Sequence, residues 1–175
     1  MGTPTLLAGL GKDELIALLG DLAHNWLTND GVWFRTVESR HGMVLAKKLN
    51  DLDLRRFSVI EAKRIMKRLP IPEGGGIGAL EQALKFRLYA RINRQEALCM
   101  SEHKLVFRMN DCRVQTARKR QNLPEYPCQS AGMIEYISFA GAIDPRIETR
   151  CIACPPDPHP EEYWCAWEFE LKQTG

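Results

Sequence analysis

The sequence predicts an α+β domain: N-terminal helices packed on a C-terminal antiparallel sheet, with helices inserted between its strands. Apolar residues recur at helical spacing up to about residue 92, and the period then shortens to the alternation of strands. Alternation returns twice more, after two further helical stretches, which is an α+β layer pattern. A length of 175 residues, 45% of them hydrophobic, suits one core. Residues 1–175 are therefore read as a single domain, with a mainly helical part (1–93) and a cysteine-rich α+β part (94–175).

The first helix is expected over residues 12–28, where Leu15, Leu18, Leu19, Leu22 and Trp26 form one stripe and Asp13 and Glu14 sit near the positive end of the dipole. Asn29-Asp30-Gly31 is expected to interrupt it, and Val32, Trp33, Phe34 and Val37 continue the stripe as far as Gly42, which predicts a bent helical pair. A third helix is predicted over 58–69, burying Ile60, Ala62, Ile65 and Met66 and ending at Pro70 and Pro72. Glu73-Gly74-Gly75-Gly76-Ile77-Gly78 reads as a loop and not a phosphate cradle, because no Gly-Lys-Ser/Thr follows it and no strand precedes it. Residues 79–92 read as helix on the repeat of Leu80, Leu84, Leu88 and Ile92.

Residues 96–109 read as a hairpin that turns at Ser101-Glu102-His103-Lys104. Two more helices follow over 112–121 and 128–142, separated by Pro124 and Pro127; the first is basic and the second carries Met133, Ile134, Ile137 and Phe139. The last strands are predicted over 146–153 and 164–172, the second placing Cys165, Trp167, Phe169 and Leu171 on one face and Glu168 and Glu170 on the other.

Twenty-four Lys and Arg against 22 Asp and Glu leave a formal charge of +2, which provides no general drive toward nucleic acid or anionic membrane. No charged n-region opens the chain and no apolar run approaches the roughly 20 residues of a membrane helix, so a soluble cytoplasmic protein is expected. In a reducing compartment, six cysteines are free thiols, metal ligands or redox groups in preference to a disulfide framework.

Five of the six, Cys112, Cys128, Cys151, Cys154 and Cys165, fall in one third of the chain; Cys99 lies apart and is expected to pack. Cys151-Ile152-Ala153-Cys154 has the two-residue gap with which metal knuckles point two thiolates at one zinc ion. Cys112 and Cys128 stand at predicted helix starts, where the dipole favours thiolate, and His159 in its proline-rich loop is an alternative ligand. Cysteine is also among the most often buried residue types, and Cys165 alternates with Trp167 and Phe169. Core thiols, a zinc site and a redox or catalytic thiol all remain open.

At the start of the basic helix, Arg113 and Gln115 are the candidate ligand-binding residues, since guanidinium binds anions bidentately; a solvated face is the simpler account of the helix as a whole. His24, Asp30, Trp33 and Glu38 gather near the first bend, where a carboxylate beside an aromatic could have a raised pKa. Helix capping and core packing explain them equally, and spacing does not link them to the cysteines. No Ser-His-Asp motif, nucleophile elbow or dinucleotide fingerprint is present.

Taken together, Asn29-Asp30-Gly31-Val32-Trp33-Phe34, Cys112-Arg113-Val114-Gln115, Pro127-Cys128, Ile143-Asp144-Pro145-Arg146-Ile147, Cys151-Ile152-Ala153-Cys154-Pro155-Pro156-Asp157 and Cys165-Ala166-Trp167-Glu168-Phe169 resemble an uncharacterised family of prokaryotic cytosolic proteins. More distantly the chain is similar to 4-vinyl reductase type small-molecule-binding domains and to the aminothiazoline carboxylate hydrolase family. The likeness lies in a cysteine ahead of the final strand Cys165-Ala166-Trp167-Glu168-Phe169, and the resemblance to the 4-vinyl reductase type implies helices packed on an antiparallel sheet, with a ligand pocket or a metal between the layers.

The expected function is a cytosolic small-molecule- or metal-binding domain with a cysteine-based site, zinc being the metal such thiols take. A hydrolase or thiol-dependent enzyme acting on a small anionic molecule, oriented by Arg113, is the alternative. A small-molecule ligand is the expected partner, self-association is left open, and neither membrane nor nucleic acid is expected.

Overall fold

The computed structural model describes residues 4–172. A short helix α1 (Pro4–Ala8) leads into α2 (Lys12–Arg68), which is broken at Gly42 by a φ of 81° and a ψ of 165°. Glycine takes that conformation without a steric penalty. An unbroken helix would hold Trp26 and Phe57 about 46 Å apart at 1.5 Å per residue. Instead their rings stack with centroids 5.0 Å apart. The chain therefore doubles back at Gly42 into two arms, residues 12–41 and 43–68, that lie side by side.

The break predicted at Asn29-Asp30-Gly31 does not occur; helix runs straight through it. Propensity is a weak prior that packing overrides, and here the neighbouring turns are held by Trp26 on Phe57 and by Phe34 on Tyr126. The burial of the arms also differs from the apolar stripes. Ala23, Ala46, Leu54, Ser58, Glu61, Ala62 and Met66 face inward. Leu19, Leu22, Trp33 and Ile60 stay exposed, so small side chains mark the inner face better than large ones.

In place of one helix over 79–92, the chain forms α3 (Gly76–Leu84) and a single 3-10 turn (Leu88–Arg91). Arg87 between them is extended, with a ψ of 153°, and its side chain turns into the core at 2% exposure. There it meets Glu61 of α2 at 2.8 Å and Glu135 at 2.6 Å. Tyr89, Tyr136 and Phe139 pack around the guanidinium with centroids 4.5–5.7 Å away.

Strands β1 (Arg94–Ser101), β2 (Lys104–Asp111), β3 (Ile147–Ala153) and β4 (Cys165–Leu171) form one antiparallel sheet in the order β1-β2-β4-β3. The hairpin and both late strands agree with the alternation of the sequence. Leu105 and Phe107 of β2 and Trp167 and Phe169 of β4 supply the inner face. The outer face is charged, with Glu168 reaching both Lys104 and Arg150.

Helices α4 (Arg113–Arg120) and α5 (Gln129–Ile143) are inserted between β2 and β3. Tyr136 of α5 seats among Phe107, Trp167 and Phe169 with ring centroids 4.9–5.9 Å away. Ile137, an apolar residue one step round the helix, is exposed. Among the described residues no helix is long and apolar enough to cross a membrane.

α5 can lie this close to β4 because residue 132 has no side chain: a Cβ there would fall 2.4 Å from the Trp167 ring. Gly132→Ala is expected to destabilise the domain by about 2–3 kcal/mol through overpacking, measured by urea denaturation. A loss below about 0.5 kcal/mol, the range of ordinary surface substitutions, would show that the contact is not tight in solution.

Candidate functional site

A cavity of about 760 Å³ opens between the arms of α2, the helices α4 and α5, and the end of the sheet where β2 and β4 lie. That volume lies within the range of small-molecule sites. Cys112, Cys128, Cys154 and Cys165 all line it.

Each thiol is delivered by a different element. Cys112 follows β2 and caps α4; Cys128 precedes α5; Cys154 follows β3; Cys165 opens β4, paired with Met109. The Sγ atoms of Cys128 and Cys154 are 3.5 Å apart. Gln115 Nε2 donates to Cys128 Sγ at 3.5 Å, and Trp167 Nε1 donates to Cys165 Sγ at 3.3 Å.

These partners give the thiols different acidities. The hydrogen bond from Cys154 holds the Cys128 pKa below the ordinary thiol value, helped by Gln115 and opposed by burial. Cys154 moves far the other way, because its proton bonds to Cys128 and Cys165 and burial adds to the effect. Cys112 was expected to be acidic at its helix start. Burial instead pushes it up to about 12, outweighing the N–H groups of Gln115 and Val114.

Cys151 does not join this group in the cavity lining. It stands opposite Trp167 in the sheet, near Gln129 Nε2 at 3.9 Å, with its pKa raised by burial. His159 lies beside Trp164 with ring centroids 5.2 Å apart and does not line the cavity. Cys99, expected to pack, is exposed on the edge strand β1. Among the described residues no group of three or more His, Cys, Asp or Glu side chains is arranged to hold a metal ion.

The basic helix α4 is not simply a solvated face. Gln115 is 2% exposed, with its amide spent on the backbone of Tyr126: Nε2 donates to the carbonyl at 2.8 Å and Oε1 accepts from the N–H at 2.9 Å. Arg118 is also buried and forks onto Glu38, both bonds 3.0 Å, holding the Glu38 carboxyl below the usual range. Arg113 lines the cavity, its N–H bonded to Asn93 Oδ1 at 3.0 Å, and its guanidinium has no ion-pair partner among the described residues.

The fold-back at Gly42 also brings His24, Asp30 and Phe34 into the lining, which spacing alone could not link to the cysteines. Burial, with Asp53 and Glu135 nearby, raises the Asp30 pKa. Trp33, expected to pack, points outward. Glu135, Tyr136, Tyr126 and Trp167 complete the walls. Glu135 is the one acidic side chain of an otherwise apolar or neutral α5, a pattern that marks a buried, paired carboxylate and could have been noticed in the sequence.

The arrangement provides a largely aromatic and aliphatic cavity whose walls carry one acidified thiol, the Arg113 guanidinium, unpaired among the described residues, and two carboxyls, Asp30 and Glu135, whose pKa burial raises. Fold and cavity together define a small α+β domain with a thiol-walled pocket. The chain belongs to the family of unknown function DUF6125, whose sequence model matches residues 8–171. Neither the curated proteins nor the solved structures contain a match to it.

Two measurements test this electrostatic picture. At pH 7, iodoacetamide should modify Cys99 through its exposure and Cys128 through its acidity, and leave Cys112 and Cys154 untouched until denaturant is added; peptide mass spectrometry reads the order, and early labelling of Cys112 would contradict it. Because the Glu38 pKa is lowered on folding, its contribution is complete above the ordinary carboxylate range and is lost as pH falls through the folded-state value. Glu38→Gln should cost about 2 kcal/mol at pH 7 and progressively less on acidification toward pH 3, as followed by denaturant midpoints.

Proposed function

We propose that this chain is a small-molecule-binding domain whose ligand occupies the cavity and meets the thiols of Cys112, Cys128, Cys154 and Cys165. The observation that carries the reading is the cavity itself: four cysteines from four separate elements reach one enclosure of about 760 Å³ that also exposes Arg113 and Asp30. Thiols that served only to fill a core would not need to face open space.

Helices packed on an antiparallel sheet with a pocket beside it are also what the resemblance to 4-vinyl reductase type domains implies, and this supports the same reading. Arg113 suits an acidic group of the ligand, as its guanidinium is free to fork onto a carboxylate or phosphate. Gln115 acts at one remove by holding Tyr126 and Cys128 in place. The lowered pKa of Cys128 favours a second, enzymatic reading in which this thiolate attacks an electrophilic ligand; its partners Cys154 and Gln115 would steady the anion.

Gly31 lines the cavity and a Cβ built on it meets nothing within 4 Å, so Gly31→Phe adds a ring at the cavity wall from a Cβ that is free of contact. A fragment library of small carboxylates, amines and aromatics should contain members that stabilise the natural chain, by about 2.7 kcal/mol at a hundredfold excess over Kd, and that lose this effect in Gly31→Phe. Equal stabilisation of both proteins, or of neither, would sink the proposal. Metal analysis of the same protein separates the zinc alternative: one equivalent of tightly held zinc would make the thiols ligands and not a free wall.

A further inference from the structure

The backbones that carry Cys128 and Cys154 are tied together one residue further on. Gln129 N–H donates to Pro155 O at 2.9 Å, and Gln129 Nε2 also bonds Asp157 Oδ2. The two sulfur atoms are thus fixed side by side at 3.5 Å, although the residues are 26 apart in sequence. Closing that gap to the roughly 2.05 Å of a disulfide requires about 1.5 Å of sulfur movement, within reach of side-chain rotation. The pair is asymmetric. Cys128 is half-buried, whereas Cys154 is 1% exposed.

We propose that Cys128 and Cys154 form a redox-active dithiol that a hydroperoxide closes to a disulfide, with Cys128 attacking and Cys154 resolving. Both thiols line the cavity, which is wide enough to admit the oxidant. In the first step the Cys128 sulfur attacks the outer peroxide oxygen; the S–O bond forms, the O–O bond breaks, and the departing alkoxide leaves as the alcohol with the thiol proton. Cys128 is then a sulfenic acid. In the second step the Cys154 sulfur attacks Cys128, the S–S bond forms, the S–O bond breaks, and hydroxide leaves as water with the Cys154 proton. Two thiols lose two electrons in all, and one hydroperoxide becomes one alcohol and one water.

The hydrogen bond from Gln115 Nε2 to Cys128 Sγ supports the anionic form of the attacking sulfur, and the hydrogen bond from Cys154 does the same while aiming the second thiol at the first. Closure would remove two thiols from the wall and make the pocket sensitive to oxidants. The inference stands on the pair alone and does not require the cavity to hold a ligand.

The test uses the full chain and hydrogen peroxide at one equivalent. After oxidation and denaturation the free-thiol count should fall from six to four, and tandem mass spectrometry should place the bridge between residues 128 and 154. Cys154→Ser should stop the reaction at a sulfenic acid on Cys128 that dimedone traps, and Cys128→Ser should give neither product. A bridge between any other pair, an unchanged count of six, or an equivalent of zinc occupying the thiols would overturn the proposal. The count and the mapped bridge come from the natural chain, so they hold whether or not a variant folds.

Discussion

Arg87 is a guanidinium at 2% exposure, clamped between Glu61 of the second arm of α2 and Glu135 of α5. Burial opposes its charge, and the two carboxylates outweigh that opposition, so its pKa is raised. Removing either class of partner from such a group leaves an uncompensated buried charge, at a cost of about 3–5 kcal/mol. Glu61 Oε1 also accepts the Leu88 N–H at 3.0 Å, which fixes the 3-10 turn that follows. One cation thereby sets the relation of three elements, and the register of α5 over the sheet follows from it.

That register matters for the site. With Glu135 tied to Arg87, Tyr136 faces Phe107, Trp167 and Phe169, Gly132 meets the Trp167 ring, and Cys128 at the head of the helix arrives beside Cys154. A second buried pair, Arg118 with Glu38, fixes α4 against the first arm in the same manner. The pocket lies between these two clamps, so its walls are held by ion pairs while its lining stays free of them at Asp30 and Arg113. Buried pairs are a costly way to gain stability. Here they link α5 and α4 to the two arms of α2 on either side of the cavity.

Much of this architecture was legible in the sequence, and the parts that were not share a cause. The hairpin, the two late strands and the helices that start beside Cys112 and Cys128 follow from periods and prolines, which are local signals. The break at Gly42 was marked by a glycine, but the one at Gly31 was marked as well and does not exist; only the packing of Trp26 on Phe57 and Phe34 on Tyr126 decides between them. Everything that depends on the fold-back was hidden for that reason. Asp30 and His24 share a wall with the cysteines only because the first arm returns over the second. The inner faces of the arms were misread where alanine and serine, not leucine, face inward: Ala23, Ala46 and Ser58 carry little hydrophobic signal but are buried, whereas Ala62 and Met66 were read correctly.

The acidity of the cysteines shows the same limit at the scale of single atoms. Cys112 and Cys128 occupy equivalent positions, each just ahead of a helix, and the helix dipole argument treats them alike. They diverge because Cys128 receives hydrogen bonds from Cys154 and Gln115, whereas Cys112 is buried with backbone N–H groups alone to oppose the loss of water. A proton shared with a neighbouring sulfur is harder to remove, so the contact that lowers the Cys128 pKa raises that of Cys154, and Cys165 and burial raise it further. Four thiols in one wall are therefore not four equivalent groups. Their hydrogen bonds lower the pKa of Cys128 and hold Cys154 beside it protonated, a difference that the count and spacing of cysteines in the sequence do not contain.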